Sequence, residues 1–359
     1  MRRFHITRKT VLALSVAIVL LGTGCDMHLG SWAQSRYERT TNQQRLLSAG
    51  STLDVETSFG SVTVTGADVT ECDVMATITA NAPTEEEAQE LAEQTTIEMV
   101  AVGDTLRVRA DKPTTRGNRS VGVSYHIVVP RQTNVECRSS YGNVELAGIE
   151  GDVSGRTSSG SVRAEEIRGS ANLGSSYGSI TLERFSDGDL TLKTSSGKIA
   201  ISDATFGSCD AGTSYGSVTA RSLQGDSIKL RSSSGSIELA EASAETMDLS
   251  TSYGRVEARQ IRVRDLRAHS GSGSIEIDCA DGCPSELTAQ VKSSYGSVSF
   301  TAPPEFGGQV HLATNYGSVR TERPITIQGE LSKKKIDGAI GDGAGNLHIE
   351  TSSGSVTLR

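Results

Sequence analysis

Aromatic and other apolar residues are scarce in this chain of 359 residues: aromatics make up 4% and all hydrophobic residues together 36%. That is little for the thick core of an ordinary globular domain. Proline is also scarce, at 7 residues, whereas glycine is abundant, at 38. This balance argues against a proline-rich disordered chain and favours many tight turns. No apolar run reaches the roughly 18 residues of a membrane-spanning helix, so a polytopic membrane protein is not expected.

Basic charge is also lacking, since 35 Lys and Arg residues face 43 Asp and Glu residues, for a net charge of −8. Non-specific nucleic-acid binding needs a basic surface, so we expect no nucleic-acid partner. Neither a P-loop nor a dinucleotide fingerprint in a βαβ context occurs. The six histidines are scattered, with no metal-spaced pair on one strand. The sequence therefore predicts no catalytic residue and no cofactor, and a protein that is not an enzyme.

The amino terminus has the pattern of an export signal. Four basic residues precede the apolar stretch from Val11 to Leu21, and Gly24-Cys25 follows. The ending resembles a bacterial lipoprotein signal, in which the cysteine carries the lipid, although Gly22 stands where a larger aliphatic residue is usual. Plain secretion and an uncleaved anchor are the alternatives. We predict a signal peptide over 1–24, a lipid attached at Cys25, and a polar tether over 25–48.

An internal repeat dominates the rest of the chain. Its element is Ser/Thr-Ser-x-Gly-x-Val/Ile, and from Gly142 to Gly273 the glycines recur every 18 or 19 residues. Apolar residues stand two and four places after the glycine and five and seven places before it, alternating with polar residues. Such alternation is typical of strands with one buried face. We therefore predict an all-β, two-sided β-solenoid over 49–359, with two short strands per rung and a thin core.

The position before each repeat glycine alternates between tyrosine and serine over much of the chain. Six of the eight tyrosines occupy this column. Rungs about 4.8 Å apart leave little room for a tilted ring on every level. We therefore expect the rings of Tyr177, Tyr215 and Tyr253 to be tucked over corners such as Ser196 and Ser234. The alternative is an aromatic ridge that binds a ligand.

Two segments interrupt the repeat, over 66–135 and 320–345. In the first, Thr84 followed by three glutamates predicts a helix through about Gln94. A hairpin is expected around Gly103-Asp104, and a strand is expected over 121–129. The second segment contains Lys333-Lys334-Lys335, which we interpret as a solvated turn, with a contact to an anionic polymer or lipid as the alternative. Both segments suit the capped ends of a solenoid.

These motifs together resemble a known family, the bacterial domain of unknown function called "putative adhesin", which is related to head-GIN autotransporter-adhesin domains. The resemblance covers residues 50–359. It rests on the SSYGSV and SSGSV corners, PTEEEAQELAEQ, GDTLRVRAD and the GELSKKKIDGAIGDG segment before the last corner. It implies a β-solenoid on the cell surface or in the envelope, and it transfers no catalytic residue.

Three glutamates on consecutive rungs, Glu238, Glu257 and Glu276, are predicted to form a ladder on the outer face. Like charges stacked in this way repel each other. A cation such as Ca²⁺ could bridge them. The alternative is a solvated face relieved by neighbours such as Arg231 and Arg259.

The cysteines divide into two groups. Cys72, Cys137 and Cys209 fall in apolar positions and are predicted to be buried. Cys279 and Cys283 flank Ala-Asp-Gly in a turn that we expect to protrude, where an oxidising envelope favours a local disulfide.

The expected function is that of a membrane-anchored envelope or surface lipoprotein that binds a partner without catalysis, as an adhesin does. Its membrane contact is the lipid, and its partner is a cell-wall glycan or an envelope protein. A structural or stress-associated scaffold that binds proteins is the second interpretation. A glycan-active β-helix enzyme is the third.

Overall fold

In the computed structural model, which describes residues 34–327 and 332–359, the chain forms 26 strands in one sheet and one helix. The amino-terminal elements are β1 (Ser35–Leu46), β2 (Thr52–Phe59), β3 (Val62–Ala67), β4 (Glu71–Ala82), α1 (Glu85–Gln94), β5 (Thr96–Val102), β6 (Thr105–Asp111) and β7 (Ser120–Pro130). The regular rungs comprise β8 (Asn134–Tyr141), β9 (Val144–Ile149), β10 (Val153–Thr157), β11 (Val162–Arg168), β12 (Ala171–Ser175), β13 (Ile180–Thr194), β14 (Ile199–Thr213), β15 (Val218–Ser232), β16 (Ile237–Thr251), β17 (Val256–Ser270), β18 (Ile275–Cys279), β19 (Thr288–Ser293) and β20 (Val298–Thr301). The carboxyl-terminal strands are β21 (Gly308–Tyr316), β22 (Val319–Thr321), β23 (Thr326–Ile327), β24 (Lys335–Ile340), β25 (Gly345–Ser353) and β26 (Val356–Leu358).

The predicted β-solenoid is confirmed. Strands β13 to β17 stack in parallel, and each repeat position pairs with its equivalent in the next rung. The residue two places after each repeat glycine is Val or Ile, and we call these positions the β-branched column. In this column Val218 pairs with Ile237 and Ile237 with Val256, and all three side chains are fully buried. A thin core runs along the axis because only these inward columns are apolar.

The rungs are not built from two separate strands throughout. From β13 to β17 each rung is one strand of 15 residues. It bends at the residue six places after the glycine. The backbone of this bend residue is left-handed, as at Ser222 with φ 55° and Glu241 with φ 56°. The bend interrupts the inward–outward alternation, so that Leu223, seven places after its glycine, returns to the core. Pairing between the rungs skips the bend residue and resumes directly after it, as between Ala204 and Leu223, which explains why one strand replaces the two predicted.

The amino-terminal insertion contains the predicted elements. Helix α1 begins after Thr84, whose hydroxyl accepts a hydrogen bond from the amide of Glu87 at 3.3 Å. Strands β5 and β6 form the hairpin, with Gly103 left-handed in its turn at φ 59°. The predicted strand over 121–129 is β7. Strands β6 and β7 lie parallel to β2 and β3 and cover the first rung.

The described part of the segment predicted as a polar tether, from residue 34 onwards, belongs to the fold. Strand β1 pairs antiparallel with β4 along its whole length, from Ser35 opposite Ala82 to Leu46 opposite Glu71. It is the outermost strand of the amino-terminal cap. None of its side chains is buried, although Tyr37 packs partly against the core. The strand therefore lacks the apolar alternation by which the others are recognised.

The carboxyl-terminal rungs do not stack in sequence order. The last rung, made of β25 and β26, lies between the rung of β19 and β20 and the rung of β21 and β22. Strand β24 then pairs antiparallel with β21, and β23 pairs with β24. The final Ser-Ser-Gly-Ser-Val element of the sequence is thus the penultimate rung of the stack, and β23 and β24 cap the end.

Candidate functional site: an exposed tyrosine ridge

The repeat glycines stack directly on one another at one corner of the solenoid. A Cβ atom on Gly235 would lie 1.8 Å from the carbonyl oxygen of Gly216, and one on Gly216 would lie 1.9 Å from that of Gly197. Such distances are far below van der Waals contact, so only glycine allows the backbones to approach in this way. The corner is therefore a close-packed column of backbone.

A buried column of hydroxyl groups fixes this corner from inside. Thr213 donates to the carbonyl of Gly197 at 3.0 Å and accepts from the amide of Gly216 at 3.2 Å. The same two bonds recur at Thr157, Ser175, Thr194, Ser232, Thr251, Ser270 and Ser293. These bonds satisfy polar groups that burial would otherwise leave unpaired. The Ser or Thr that opens each repeat element therefore has a structural role.

The tyrosines beside the glycines face solvent, contrary to the expectation that serine corners would cover them. The exposed fractions of Tyr177, Tyr215 and Tyr253 are 71%, 72% and 70%. The tyrosines at 295 and 316 are equally exposed, and Tyr141 is half exposed. The tyrosines consequently form an aromatic ridge.

The out-of-order last rung makes the alternation along this ridge regular. In sequence, Tyr295, Tyr316 and Ser353 break the pattern. In space, Ser353 pairs with Tyr316 on one side and its rung lies against that of Tyr295 on the other. The spatial order is Phe59, Tyr141, Ser159, Tyr177, Ser196, Tyr215, Ser234, Tyr253, Ser272, Tyr295, Ser353, Tyr316. From Tyr141 onwards, a tyrosine stands on every second rung.

Crowding does not account for this alternation. Phe59 and Tyr141 lie on directly paired rungs, and their rings stack with centroids 5.0 Å apart and planes 6° from parallel. Neighbouring rungs can therefore both carry a ring, which was not expected from the spacing of the rungs. The remaining rings are mostly exposed and contribute little to the core.

The ridge is flanked mainly by small polar side chains. Serine precedes most of the tyrosines and follows most of the glycines. Between residues 158 and 297, Lys198 and Arg255 are the charged residues that directly follow a ridge glycine. At the carboxyl-terminal end, the Lys334 ammonium lies 5.8 Å from the ring centroid of Tyr316, within reach of a cation–π contact. The ridge is thus largely uncharged, with alternating ring faces and hydroxyl groups.

The predicted glutamate ladder forms, and arginines pair with two of its three members. Glu238, Glu257 and Glu276 pair in register on neighbouring rungs. Arg255 contacts Glu257 at 2.6 Å and Glu276 at 2.5 Å, and Arg259 also contacts Glu257.

The two arginines proposed to relieve the ladder behave differently. Arg259 does so, whereas Arg231 contacts Asp248 at 3.2 Å instead. Glu257 is also nearly buried between its arginines, so the ladder is partly neutralised but not fully solvated.

The cysteines of the described residues are free thiols. Cys72, Cys137 and Cys209 are buried, as predicted. Burial, with a smaller effect of Asp73, raises the pKa of Cys72 to about 12, which makes it unreactive.

The turn that carries Cys279 and Cys283 does not expose them, since both are more than nine-tenths buried. The hydrogen bond between the two thiols lowers the pKa of Cys283 and raises that of Cys279. The thiols are therefore neighbours, and their disulfide stays a prediction.

A group of histidines and carboxylates near the carboxyl-terminal end was missed from sequence. His311 on β21 and His348 on β25 pair in register, and their rings stack with centroids 4.6 Å apart. Both approach Glu350, and His311 also contacts Asp337 on β24. The sequence separation of the two histidines and the unexpected order of the rungs concealed this cluster.

The chain matches a known protein family. The model of the family described as Toastrack DUF4097 matches residues 176–359, just over half of the chain. The chain belongs to the Toastrack DUF4097 family. The matched part of this Toastrack protein includes most of the tyrosine ridge and the whole carboxyl-terminal end. The family resemblance and fold expected from the sequence are thereby confirmed.

Two solved structures resemble the Toastrack chain at low similarity. One, described as "a putative adhesin" from Bacteroides fragilis, is 13% identical with a TM-score of 0.27, and the match covers 89% of this chain and 97% of that one. The other, "a putative cell adhesion protein" from Clostridium sporogenes, is 10% identical with a TM-score of 0.21, covering 89% and 99%. At these TM-scores neither likeness says anything about function. No curated protein matches the chain.

The predicted signal peptide and the lipid attachment at Cys25 lie outside the described residues. Within 34–327 and 332–359, no helix has both the length and the apolarity needed to cross a bilayer.

Proposed function

We propose that this Toastrack protein is a non-enzymatic binding protein of the cell envelope, anchored by a lipid on Cys25, and that its tyrosine ridge holds an extended polysaccharide. The observation that carries the proposal is the spacing of exposed rings on alternate rungs from Tyr141 to Tyr316. The alternation holds in space although the sequence departs from it. It is not required for packing, because Phe59 and Tyr141 stack on adjacent rungs.

The repeat of the ridge suits a linear glycan. Two rungs of about 4.8 Å place successive rings roughly 9.6 Å apart, which is commensurate with a disaccharide. Ten rung intervals from Tyr141 to Tyr316 give a ridge of about 48 Å. Aromatic faces pack against the apolar faces of sugars, and the phenolic hydroxyls add hydrogen bonds. The serine hydroxyls between the rings offer further donors and acceptors, and the scarcity of charge on the ridge favours a neutral polymer.

The test combines removal of rings with addition of rings. A triple variant with Tyr177→Ser, Tyr215→Ser and Tyr253→Ser is expected to lose at least tenfold in binding to insoluble cell-wall glycan, in a co-sedimentation assay. Its Tm should stay close to that of the native chain, because these rings are about 70% exposed. Val100→Ser with Val102→Ser, two half-exposed apolar residues of β5, is the matched control and should bind normally.

The complementary variant carries Ser196→Tyr and Ser234→Tyr. It gives five consecutive rungs a ring each, as at Phe59 and Tyr141, and should weaken glycan binding because the stacked rings cover one another's faces. Unchanged binding in the triple variant would contradict the proposal. The scaffold interpretation would instead be favoured by a different result: the native chain binds no glycan but pulls down an envelope protein, and the triple variant no longer does.

The anchor is tested separately. Cys25→Ser should release the protein from membranes into the soluble fraction, because the thioether attachment point is removed. Protease accessibility of the native protein on intact cells then distinguishes a surface position, which adhesion requires, from a position that faces the periplasm. Membrane association that persists in the variant would refute the lipid anchor.

A further inference from the structure

We infer that His311, His348 and Glu350 form a binding site for a divalent transition metal, with Zn²⁺ as the preferred ion. The three side chains are partly buried on the outer face of β21 and β25, and one ligand atom of each lies within 4.8 Å of the others. Two imidazoles and one carboxylate are a donor set that Zn²⁺ favours, and a water molecule would complete four-fold coordination. This site is distinct from the tyrosine ridge and does not depend on its function.

The distance from each imidazole to the carboxylate suits a single small ion. The Nε2 atom of His348 is 3.1 Å from Oε1 of Glu350, and that of His311 is 3.4 Å from the same oxygen. Ligands about 2.0–2.1 Å from a tetrahedral zinc are roughly 3.3 Å from one another. The two nitrogens thus already lie at coordination spacing from the carboxylate oxygen.

Neighbouring groups hold the ligands in this arrangement. Asp337 contacts Nδ1 of His311 at 2.5 Å, which leaves Nε2 directed at Glu350. Carboxylates commonly orient metal-bound histidines in this way. Lysines hold the second oxygen of each carboxylate: Lys292 contacts Oε2 of Glu350 at 3.1 Å, and Lys335 contacts Oδ2 of Asp337 at 2.8 Å. Because the lysines contact these second oxygens, the first oxygen of each carboxylate is free to contact a histidine.

The place of the site in the fold indicates what the metal would do. His348 and Glu350 belong to the inserted rung, His311 belongs to the rung outside it, and Asp337 belongs to the capping strand β24. A bound ion would tie these three strands together. The ion would thus stabilise the end of the solenoid at which sequence order and spatial order differ.

Calorimetric titration of the purified, untagged chain with Zn²⁺ tests the site. We expect one ion per chain and an increase in Tm on binding. His348→Ala and Glu350→Gln should each weaken binding at least tenfold, and Asp337→Asn, which removes a positioning group, about tenfold. His126→Ala, which changes an exposed histidine on β7 near the amino-terminal end, should leave affinity unchanged.

The two buried thiols at the turn of Cys279 are the other zinc-binding groups to be considered. Cys283→Ser should retain the site and its affinity. Absence of binding by the native chain would overturn the inference, as would binding that survives in both His311→Ala and His348→Ala, or binding lost in Cys283→Ser alone.

Discussion

The middle of the solenoid and its carboxyl-terminal end are held by the same contacts between rungs. In the middle these contacts join rungs that follow one another in the sequence, and at the end they join rungs that do not. In the middle, Thr213 donates to the carbonyl of Gly197, 16 residues away. At the end, Thr351 makes the equivalent bond to Gly296, 55 residues away. The columns of stacked glycines, of buried hydroxyl groups and of β-branched residues all continue through the inserted rung. A rung therefore behaves as a module whose fit depends on its side chains and not on the order in which the chain reaches it.

The largest expected difference between these regions concerns the corner glycines. Gly216→Ala places a methyl group 1.9 Å from the carbonyl oxygen of Gly197, with rungs fixed on both sides. We expect a loss of roughly 4 kcal/mol or more, or no folded protein. Gly317→Ala creates a similar clash with Gly354 but lies on the outer rung, which can shift, so its cost should be smaller.

Gly117→Ala is the control for these substitutions, since Gly117 has open space around it and a φ of 66°. It should cost about 1 kcal/mol. Chemical denaturation measures all three, and equal losses at Gly216 and Gly317 would show that the end is as rigid as the middle.

A charge in the core should have the next largest effect. Val218→Asp buries an unpaired carboxylate in the middle and should cost about 3 kcal/mol. Val319→Asp, half-buried in the outer rung, should cost less, and Thr219→Asp on the outer face should be nearly neutral. Thermal unfolding compares the three variants. If Val218→Asp and Thr219→Asp were equally destabilising, the assigned faces of the strand would be wrong.

The hydroxyl column should be important in both regions. Thr213→Val leaves the carbonyl of Gly197 and the amide of Gly216 without this partner, and Thr351→Val leaves the carbonyl of Gly296 without it. Each should cost about 1–2 kcal/mol in free energy of unfolding. A much smaller loss at Thr351 would mean that the inserted rung is held by other contacts.

The smallest effects are expected at the bend of the regular rungs. Ser222 has φ 55°, a conformation that disfavours branched side chains. Ser222→Val should cost about 1 kcal/mol, whereas Ser222→Gly should be neutral or stabilising by a few tenths of a kcal/mol. If both substitutions had the same effect on denaturant midpoints, strain at the bend would not contribute to stability.

The repeat made much of the fold predictable, because each rung repeats the same short-range pattern. The spacing of glycines, the β-branched column and the helix signal at Thr84 each act locally, and each led to the observed element. The bend at Ser222 was missed because polar residues of several types occupy its column. Strand β1 was missed because an edge strand with no buried face leaves no apolar alternation.

The candidate sites were less predictable, because they depend on what projects from the rungs and on their order. The tyrosine column was visible in the sequence, but the exposure of Tyr215 was not. The pairing of His311 with His348 requires the inserted rung, which no local pattern indicates. Sequence periodicity thus predicts the structure within a rung better than it predicts which rungs lie next to each other.

The inserted rung also constrains how the chain can fold. Strands β19 and β21 both emerge during synthesis before β25, which lies between them. The stack cannot therefore be completed by adding each rung to the one made just before it. Strand β21 must either remain undocked until β25 is available, or pair with β19 first and separate again. Either route sets folding of this end apart in time from the rungs that precede it.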